Sequence, residues 1–263
     1  MVLRSPGDGH SSNWVVVPTY NEVENIALLI PAILKQGQDF GVLVVDDGSP
    51  DGTADLAEKT GRAWPGRVEV VRRQAKEGYG RAIMAGWREA LRLGAQAVFT
   101  MDCDFSHDPA ALPRLALQLE HTDVAVGSRY VLGGRTVNWP TRRKVLSAVA
   151  NRLARSVAGL PVHDCTGGFR GYRIEVIEQL VKERVQSANY TFLVETLFLA
   201  QRMDFSIGEI AIIFKERERG QSKVNGKLIA GAVLNLAKIG LRRLSFGRPA
   251  AAAAPEPAQT RAR

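Results

Sequence analysis

The sequence predicts an α/β fold: a doubly wound, mostly parallel sheet flanked by helices, with further helices towards the C-terminus. Three observations predict it. Short apolar runs alternate with segments of helical spacing through the first half of the chain. The runs are nearly continuous in apolar residues, as in strands covered on both faces. The densest polar clusters, PTYNE, DDGSPDGT and MDCDFSHD, fall where the first, second and fourth runs end. Open α/β sheets gather ligands at those ends.

Strands are expected over residues 14–17, 42–45, 68–71, 97–101 and 124–126, with helices over 23–34, 53–60, 81–93 and 110–119 between them. Pro18 lacks an N–H for the sheet ladder and is expected to end the first strand. Asn21 is a candidate cap for the helix that follows, and Ser49 or Asp51 for the next one. Asp108-Pro109 reads as a helix start, with Asp108 as N-cap and Pro109 at the first helical position. After about residue 128 the pattern changes. Helices are expected over 144–159, 190–203 and 226–246, and a strand over 207–214 leads into the charged loop KERERGQSKVNGK. One folded domain spans 13–246, between a flexible N-terminus (1–12) and a low-complexity, disordered tail (247–263).

The bulk numbers narrow the function classes. The 263 residues are 45% hydrophobic and 24% charged, ordinary for a globular domain with a sizeable core. A net charge of +8 favours anionic partners. Aromatic content of 7% and the absence of aromatics interleaved with basic residues argue against a nucleic-acid-binding module. Cys103 and Cys165 form no zinc pattern, and a reduced compartment is expected. No run of about 18 apolar residues suggests a spanning helix, and the N-terminus lacks the apolar core of a signal peptide. The expected location is cytoplasmic, peripherally associated with the cytoplasmic face of a membrane.

The clusters carry the chemistry. An acid at the end of a buried strand, such as Asp46, needs a partner, which a base or ribose edge can supply. Neither a P-loop nor GxGxxG follows the first strand. Gly78 and Gly80 in KEGYGRA precede a helix and can bring N–H groups near a phosphate. In MDCDFSHD, Asp102 and Asp104 are one residue apart, which in an extended strand puts both on one side. Two such carboxylates repel unless a cation neutralises them, and an oxygen-preferring Mg²⁺ or Mn²⁺ suits two carboxylates plus diphosphate oxygens. An acid/base pair is the alternative. His107 reads as structural, since an imidazole is out of place among hard oxygen ligands.

Taken together, VVVPTYNE, VLVVDDGSPDGT, KEGYG and MDCD resemble a family 2 glycosyltransferase of the GT-A type, MDCD matching its DxD metal motif. The segments GSRYVLGG, NWPTRRKVLS, DCTGGFRGYR and ERERGQSK resemble the polyprenol- or dolichol-phosphate mannose synthases. The resemblance runs from about residue 14 to residue 243. It departs at Cys103, where alanine is more usual; that side chain is expected to point away from the aspartates.

The resemblance implies inverting transfer of mannose from GDP-mannose to a polyprenyl (dolichyl) monophosphate, with a UDP-sugar donor (glucose or N-acetylglucosamine) as the alternative. It implies a nucleotide-sugar site of Pro18, Tyr20, Glu22, Asp46, Asp102, Cys103, Asp104, Arg129, Arg217 and Lys223. The metal, Mg²⁺ or Mn²⁺, is expected at Asp102 and Asp104 with Ser106, and the acceptor phosphate at Arg129, Arg143 and Ser147. Catalysis is expected to rest on Asp102, Asp104, Arg129 and Arg143. The lipid must arrive from a bilayer. The 226–246 helix, with Leu228, Ile229, Val233, Leu236 and Leu244 on one face and Lys238, Arg242 and Arg243 breaking any spanning run, reads either as an interfacial helix or as one packed on the domain. A separate membrane-anchor protein is a further candidate partner.

Overall fold

The computed structural model describes residues 11–183, 185, 187, 191–216 and 226–245, with side chains in the last helix from 234 to 243. Arg217, Lys223, the side chains of Leu228, Ile229, Val233 and Leu244, and the two terminal segments 1–10 and 246–263 lie outside the described residues.

The first half alternates as expected: β1 (Asn13–Thr19), α1 (Val23–Leu34), β2 (Phe40–Asp46), α2 (Thr53–Gly61), β3 (Val68–Arg72), α3 (Tyr79–Arg92) and β4 (Ala97–Thr100). Then come a 3-10 turn (Pro109–Ala111), α4 (Leu112–Gln118), β5 (Val124–Ser128), β6 (Arg135–Val137), α5 (Thr141–Ala158), β7 (Arg170–Arg173) and α6 (Ile174–Leu180). The last elements are α7 (Thr191–Arg202), β8 (Ile207–Ala211), β9 (Ile213–Lys215) and α8 (Gly226–Ser245). Seven strands form one sheet in the order β3-β2-β1-β4-β7-β5-β8, and β6 pairs with β9 in a small second sheet. All pairings are parallel except those of β7, which is antiparallel to both neighbours.

Side chains alternate across the sheet and build a core on each face. Val16, Leu43, Val45, Val98 and Val124 face Ile83 and Trp87 of α3. Val15, Val17, Val42, Val44 and Phe99 face Ile26, Leu29 and Ile30 of α1. Every residue of β2 is buried, as its unbroken apolar run requires. The strand order reverses between β1 and β4, which pair directly. The chain ends that leave these two strands, 20–22 and 101–108, therefore lie side by side at the switch point.

Several expectations change. Pro18 lies inside β1 and does not end it; the last β1–β4 pair is Val16 with Thr100, so that ladder does not demand the N–H Pro18 lacks. The expected strand over 207–214 is two, because at Ile212 the chain passes from the large sheet to the small one. Ile212 holds the corner, donating to Ser128 O (3.0 Å) and accepting from Arg135 N (3.1 Å). The helix expected from 144 begins at Thr141, with Pro140 as its N-cap residue. Strands β6 and β7 and helix α6 were not expected at all. β7 reads RGYR, and its charge hides it. Arg170 is fully buried, donating to the carbonyls of Cys165 (2.9 Å), Gly167 (2.8 Å) and Leu193 (2.7 Å). Gly171 lies against Phe99, whose ring a Cβ there would meet at 2.8 Å.

Candidate active site

At the carboxyl ends of β1 and β2, the loop after β2 scaffolds the turn after β1. Asn21 N donates to Ser49 Oγ (2.9 Å), Glu22 N to Thr53 Oγ1 (2.9 Å) and Val23 N to Asp51 Oδ2 (3.2 Å). Asn21 has a φ of 58° and does not cap α1, whose N-cap residue is Glu22. Gly52 is the N-cap residue of α2, and Asp51 instead accepts from Thr53 N and Oγ1. Asp46 finds its partners within the protein. Its carboxylate accepts from Thr19 Oγ1 (2.9 Å), Ser49 N (2.8 Å) and Ser49 Oγ (2.6 Å). Next to it, Asp47 is ion-paired with Arg73. Lys76 Nζ lies 4.4 Å from the Tyr20 ring centre.

β4 stops at Thr100, so Asp102 and Asp104 stand in a turn rather than on an extended strand. Asp102 is partly open, its side chain 38% exposed, and Asp104 is buried. Ser106 N donates to Asp104 Oδ1 (3.0 Å) and so orients it. Cys103 is buried in the apolar core on the α1 side, as its expected orientation requires. Asp108 caps the following turn, accepting from Ala110 N, with Pro109 behind it. Gly168 approaches closely: a Cβ there would lie 2.8 Å from Tyr79 Oη and 3.7 Å from Asp102 Oδ1. The loop before β7 is stitched to β4 by Thr100 Oγ1 donating to Gly168 O (2.6 Å).

His107 is structural. It stacks on Phe169 (5.0 Å between ring centres) and meets Phe214 edge-on (5.1 Å). Burial pushes its pKa down to about 4, so it is neutral at physiological pH.

A second cluster gathers around Trp139. Arg143 stacks on this ring at 4.1 Å and Arg129 lies 5.8 Å from it. Arg129 makes a buried pair with Asp164, Nε to Oδ2 (2.7 Å) and Nη2 to Oδ1 (2.8 Å), and Nη2 also reaches Thr166 Oγ1 (2.9 Å). Burial works against the Asp164 carboxylate, but the hydrogen bonds and charge of Arg129 hold its pKa below the usual range. The Ser147 hydroxyl bonds Tyr130 Oη (2.9 Å).

The two clusters are physically joined. Phe214 of β9 touches both His107 (5.1 Å) and Trp139 (5.4 Å). Lys215 N donates to Ser106 O (3.1 Å). The aspartates and the arginines are therefore held by one packed unit. Asp164, Trp139, Tyr130 and Phe214 belong to this unit yet were not singled out from sequence, although each lies in or beside a conspicuous motif.

The donor set suits a divalent cation. The Asp102 and Asp104 carboxylates are hard oxygen donors, and the buried His107 Nδ1 lies 3.9 Å from Asp102 Oδ2. Among the described residues no cluster of three or more His, Cys, Asp and Glu has metal-binding geometry. A cation here would need substrate oxygens, the usual arrangement for Mg²⁺ on a diphosphate.

A family model for glycosyl transferase family 2 matches residues 14–181. The chain is 43% identical over 229 residues to the polyprenol monophosphomannose synthase of Mycolicibacterium smegmatis, covering 87% of this chain and 86% of that one. It is 39% identical over 226 residues to the undecaprenyl-phosphate mannosyltransferase of Micrococcus luteus, covering 86% and 93%. A crystal structure of glucosyl-3-phosphoglycerate synthase from Mycobacterium tuberculosis, with Mn²⁺, UDP and glucosyl-3-phosphoglycerate, superposes with a TM-score of 0.62 at 19% identity, covering 94% and 88%. At that identity the likeness is one of fold.

Proposed function

Because the chain belongs to glycosyl transferase family 2, we propose that it transfers mannose from GDP-mannose to a polyprenyl monophosphate, with inversion at the anomeric carbon. The observation that carries this reading is the packed unit linking Asp102 and Asp104 to Arg143 through Phe214 and Trp139. In this reading the aspartates are the diphosphate handle and Arg143 the anion-binding group joined to it. The names of the two mannosyltransferase relatives supply the sugar and the lipid phosphate.

The acceptor phosphate is ionised at neutral pH and needs no general base. One of its oxygens attacks the anomeric carbon, the bond to the diphosphate oxygen breaks, and the electron pair leaves with GDP. Positioning and charge stabilisation then do the catalytic work. Tyr20, Glu22 and Asp46 would border the nucleotide beside Pro18, and Arg129, Arg143 and Ser147 would receive the acceptor phosphate. Arg217 and Lys223 remain candidates for the donor diphosphate. Asp102 and Asp104 would hold Mg²⁺ or Mn²⁺, which neutralises charge on the departing diphosphate. His107 is buried between Phe169 and Phe214, out of reach of an acceptor.

No helix among the described residues is long and apolar enough to cross a membrane. Instead α5 exposes Val145, Leu146, Val149 and Leu153, and α8 exposes Leu234 and Leu241. The α5 helix carries Arg142, Arg143, Lys144, Arg152 and Arg155 and no acidic residue. An apolar stripe flanked by cations suits the surface of an anionic bilayer, from which a polyprenyl chain is delivered. In α8 two of the cations face inwards. Arg242 pairs with Glu195 (3.0 Å), and Arg243 donates to Ser156 O (2.7 Å). Over its described side chains, 234–243, that helix is docked on the domain by these contacts.

A donor panel tests the assignment. Purified protein is incubated with polyprenyl phosphate, Mg²⁺ or Mn²⁺, and GDP-mannose, UDP-glucose or UDP-N-acetylglucosamine in turn. Lipid-linked sugar from GDP-mannose alone is expected; product from a UDP-sugar alone overturns the donor assignment.

A further inference from the structure

The three residues proposed for the acceptor phosphate differ in how they are engaged. Arg129 is committed to Asp164 in a pair that is 7% and 0% exposed. Ser147 is bonded to Tyr130. Arg143 has a partner at the surface. Its Nη1 meets Glu216 Oε1 at 2.5 Å, and the two side chains are 43% and 38% exposed. A half-exposed pair is weak and screened by salt, so exchange is cheap there. Meanwhile the stack of Arg143 on Trp139 fixes where the guanidinium sits.

Glu216 is itself tied to both halves of the site. Its N–H donates to Val137 O (3.2 Å), and the preceding Lys215 N–H reaches Ser106 O of the aspartate loop (3.1 Å). The Nε1–H of Trp139 is buried without a hydrogen-bond partner among the described residues, as are those of Trp14 and Trp87 in the core.

We propose that Glu216 is a specificity-determining residue of the acceptor site: its carboxylate holds the place of the acceptor phosphate on Arg143, and a phosphate monoester displaces it. This rests on the assignment of Arg143 to the acceptor. A carboxylate and a phosphate present the same pair of oxygens to a guanidinium. The phosphate monoester carries nearly two charges at neutral pH against one, and so wins the exchange.

The test is a steady-state cycle on the full chain with polyprenyl phosphate as the varied substrate: wild type, Glu216→Gln, Arg143→Ala and the double variant. Glu216→Gln is expected to lower the acceptor KM by about threefold, the scale of a half-exposed ion pair. The change should be carried by KM rather than kcat, and the donor KM should not follow it. In the Arg143→Ala background the same substitution should make no difference. An acceptor KM that stays level or rises in Glu216→Gln, while Arg143→Ala raises it, overturns the inference and leaves the acceptor assignment standing. An acceptor KM unmoved by Arg143→Ala sinks both. A second readout uses inorganic phosphate and the Trp139 part of the fluorescence, taken as the difference from Trp139→Phe. The midpoint should fall in Glu216→Gln; an unchanged midpoint contradicts the exchange.

Discussion

Arg129 and Asp164 form a buried two-point ion pair: Nε to Oδ2 at 2.7 Å and Nη2 to Oδ1 at 2.8 Å. Asp164 also accepts from the backbone N–H groups of Arg129 (3.1 Å), Thr166 (3.3 Å) and Gly167 (3.1 Å). It thereby fastens the loop before β7 to the end of β5. Tyr130, Trp139 and Phe214 ring the guanidinium at 5.3, 5.8 and 5.5 Å. The pair leaves Nη1 as the guanidinium nitrogen not engaged with Asp164.

Removing one partner strands the other charge in the interior. Asp164→Asn is expected to destabilise the fold by about 3–5 kcal/mol, as for other broken buried pairs. Urea unfolding followed by circular dichroism measures it; a loss under about 1 kcal/mol contradicts the pair's role.

The same pair sets a pH dependence. The folded pKa of Asp164 is lowered from 3.8, because the Arg129 hydrogen bonds outweigh burial. Its contribution is complete above that unfolded value and is lost as pH falls through the lower folded one. Urea midpoints in this acid range should fall less steeply in Asp164→Asn than in wild type. Parallel curves would show that the carboxylate is not ionised in the native state.

Both thiols are buried, and burial raises their pKa values, Cys165 to about 12 and Cys103 well above its usual value. Neither is a nucleophile or a ligand at neutral pH. A thiol-specific dye at pH 8 should label the folded protein at well under one equivalent over minutes and the unfolded protein at two. Rapid labelling of the native chain contradicts the packing of Cys103 behind the aspartates.

The exposed stripe of α5 predicts vesicle binding. Leu146 and Leu153 are 67% and 55% exposed, so substitution there spares the core. Leu146→Glu with Leu153→Glu should reduce co-sedimentation with vesicles containing anionic lipid by about tenfold, the scale of two lost apolar anchors. Wild-type binding should weaken as salt rises. Equal binding by the double variant contradicts the docking face.

Much of the fold was legible because buried parallel strands write themselves as apolar runs. β2 is buried throughout and was placed within two residues of its ends. β7 was illegible for the opposite reason: Arg170 is buried among carbonyls and Gly171 beneath Phe99, so neither looks like a strand residue. At the site, the cap at Asp108 followed from local order. Which arginine is spoken for did not, because Asp164 lies 35 positions from Arg129. Asp46 was read as an acid in want of a ligand; Thr19 and Ser49 supply its partners. Sequence spacing shows which polar groups share an edge, whereas their pairing depends on loops that meet only in the folded chain.

The proposed roles of Asp102 and Asp104 in mannose transfer to a lipid phosphate are tested most directly by lipid-extractable mannose. It is formed from labelled GDP-mannose and polyprenyl phosphate with Mg²⁺ or Mn²⁺, by wild type and by Asp104→Ala, both checked for folding by circular dichroism. Product from the wild type is expected, with loss of about 100-fold or more in a folded Asp104→Ala, the scale of losing one transition-state charge stabiliser. A folded Asp104→Ala working at the wild-type rate, or a wild type that makes no lipid-linked mannose, would contradict those roles.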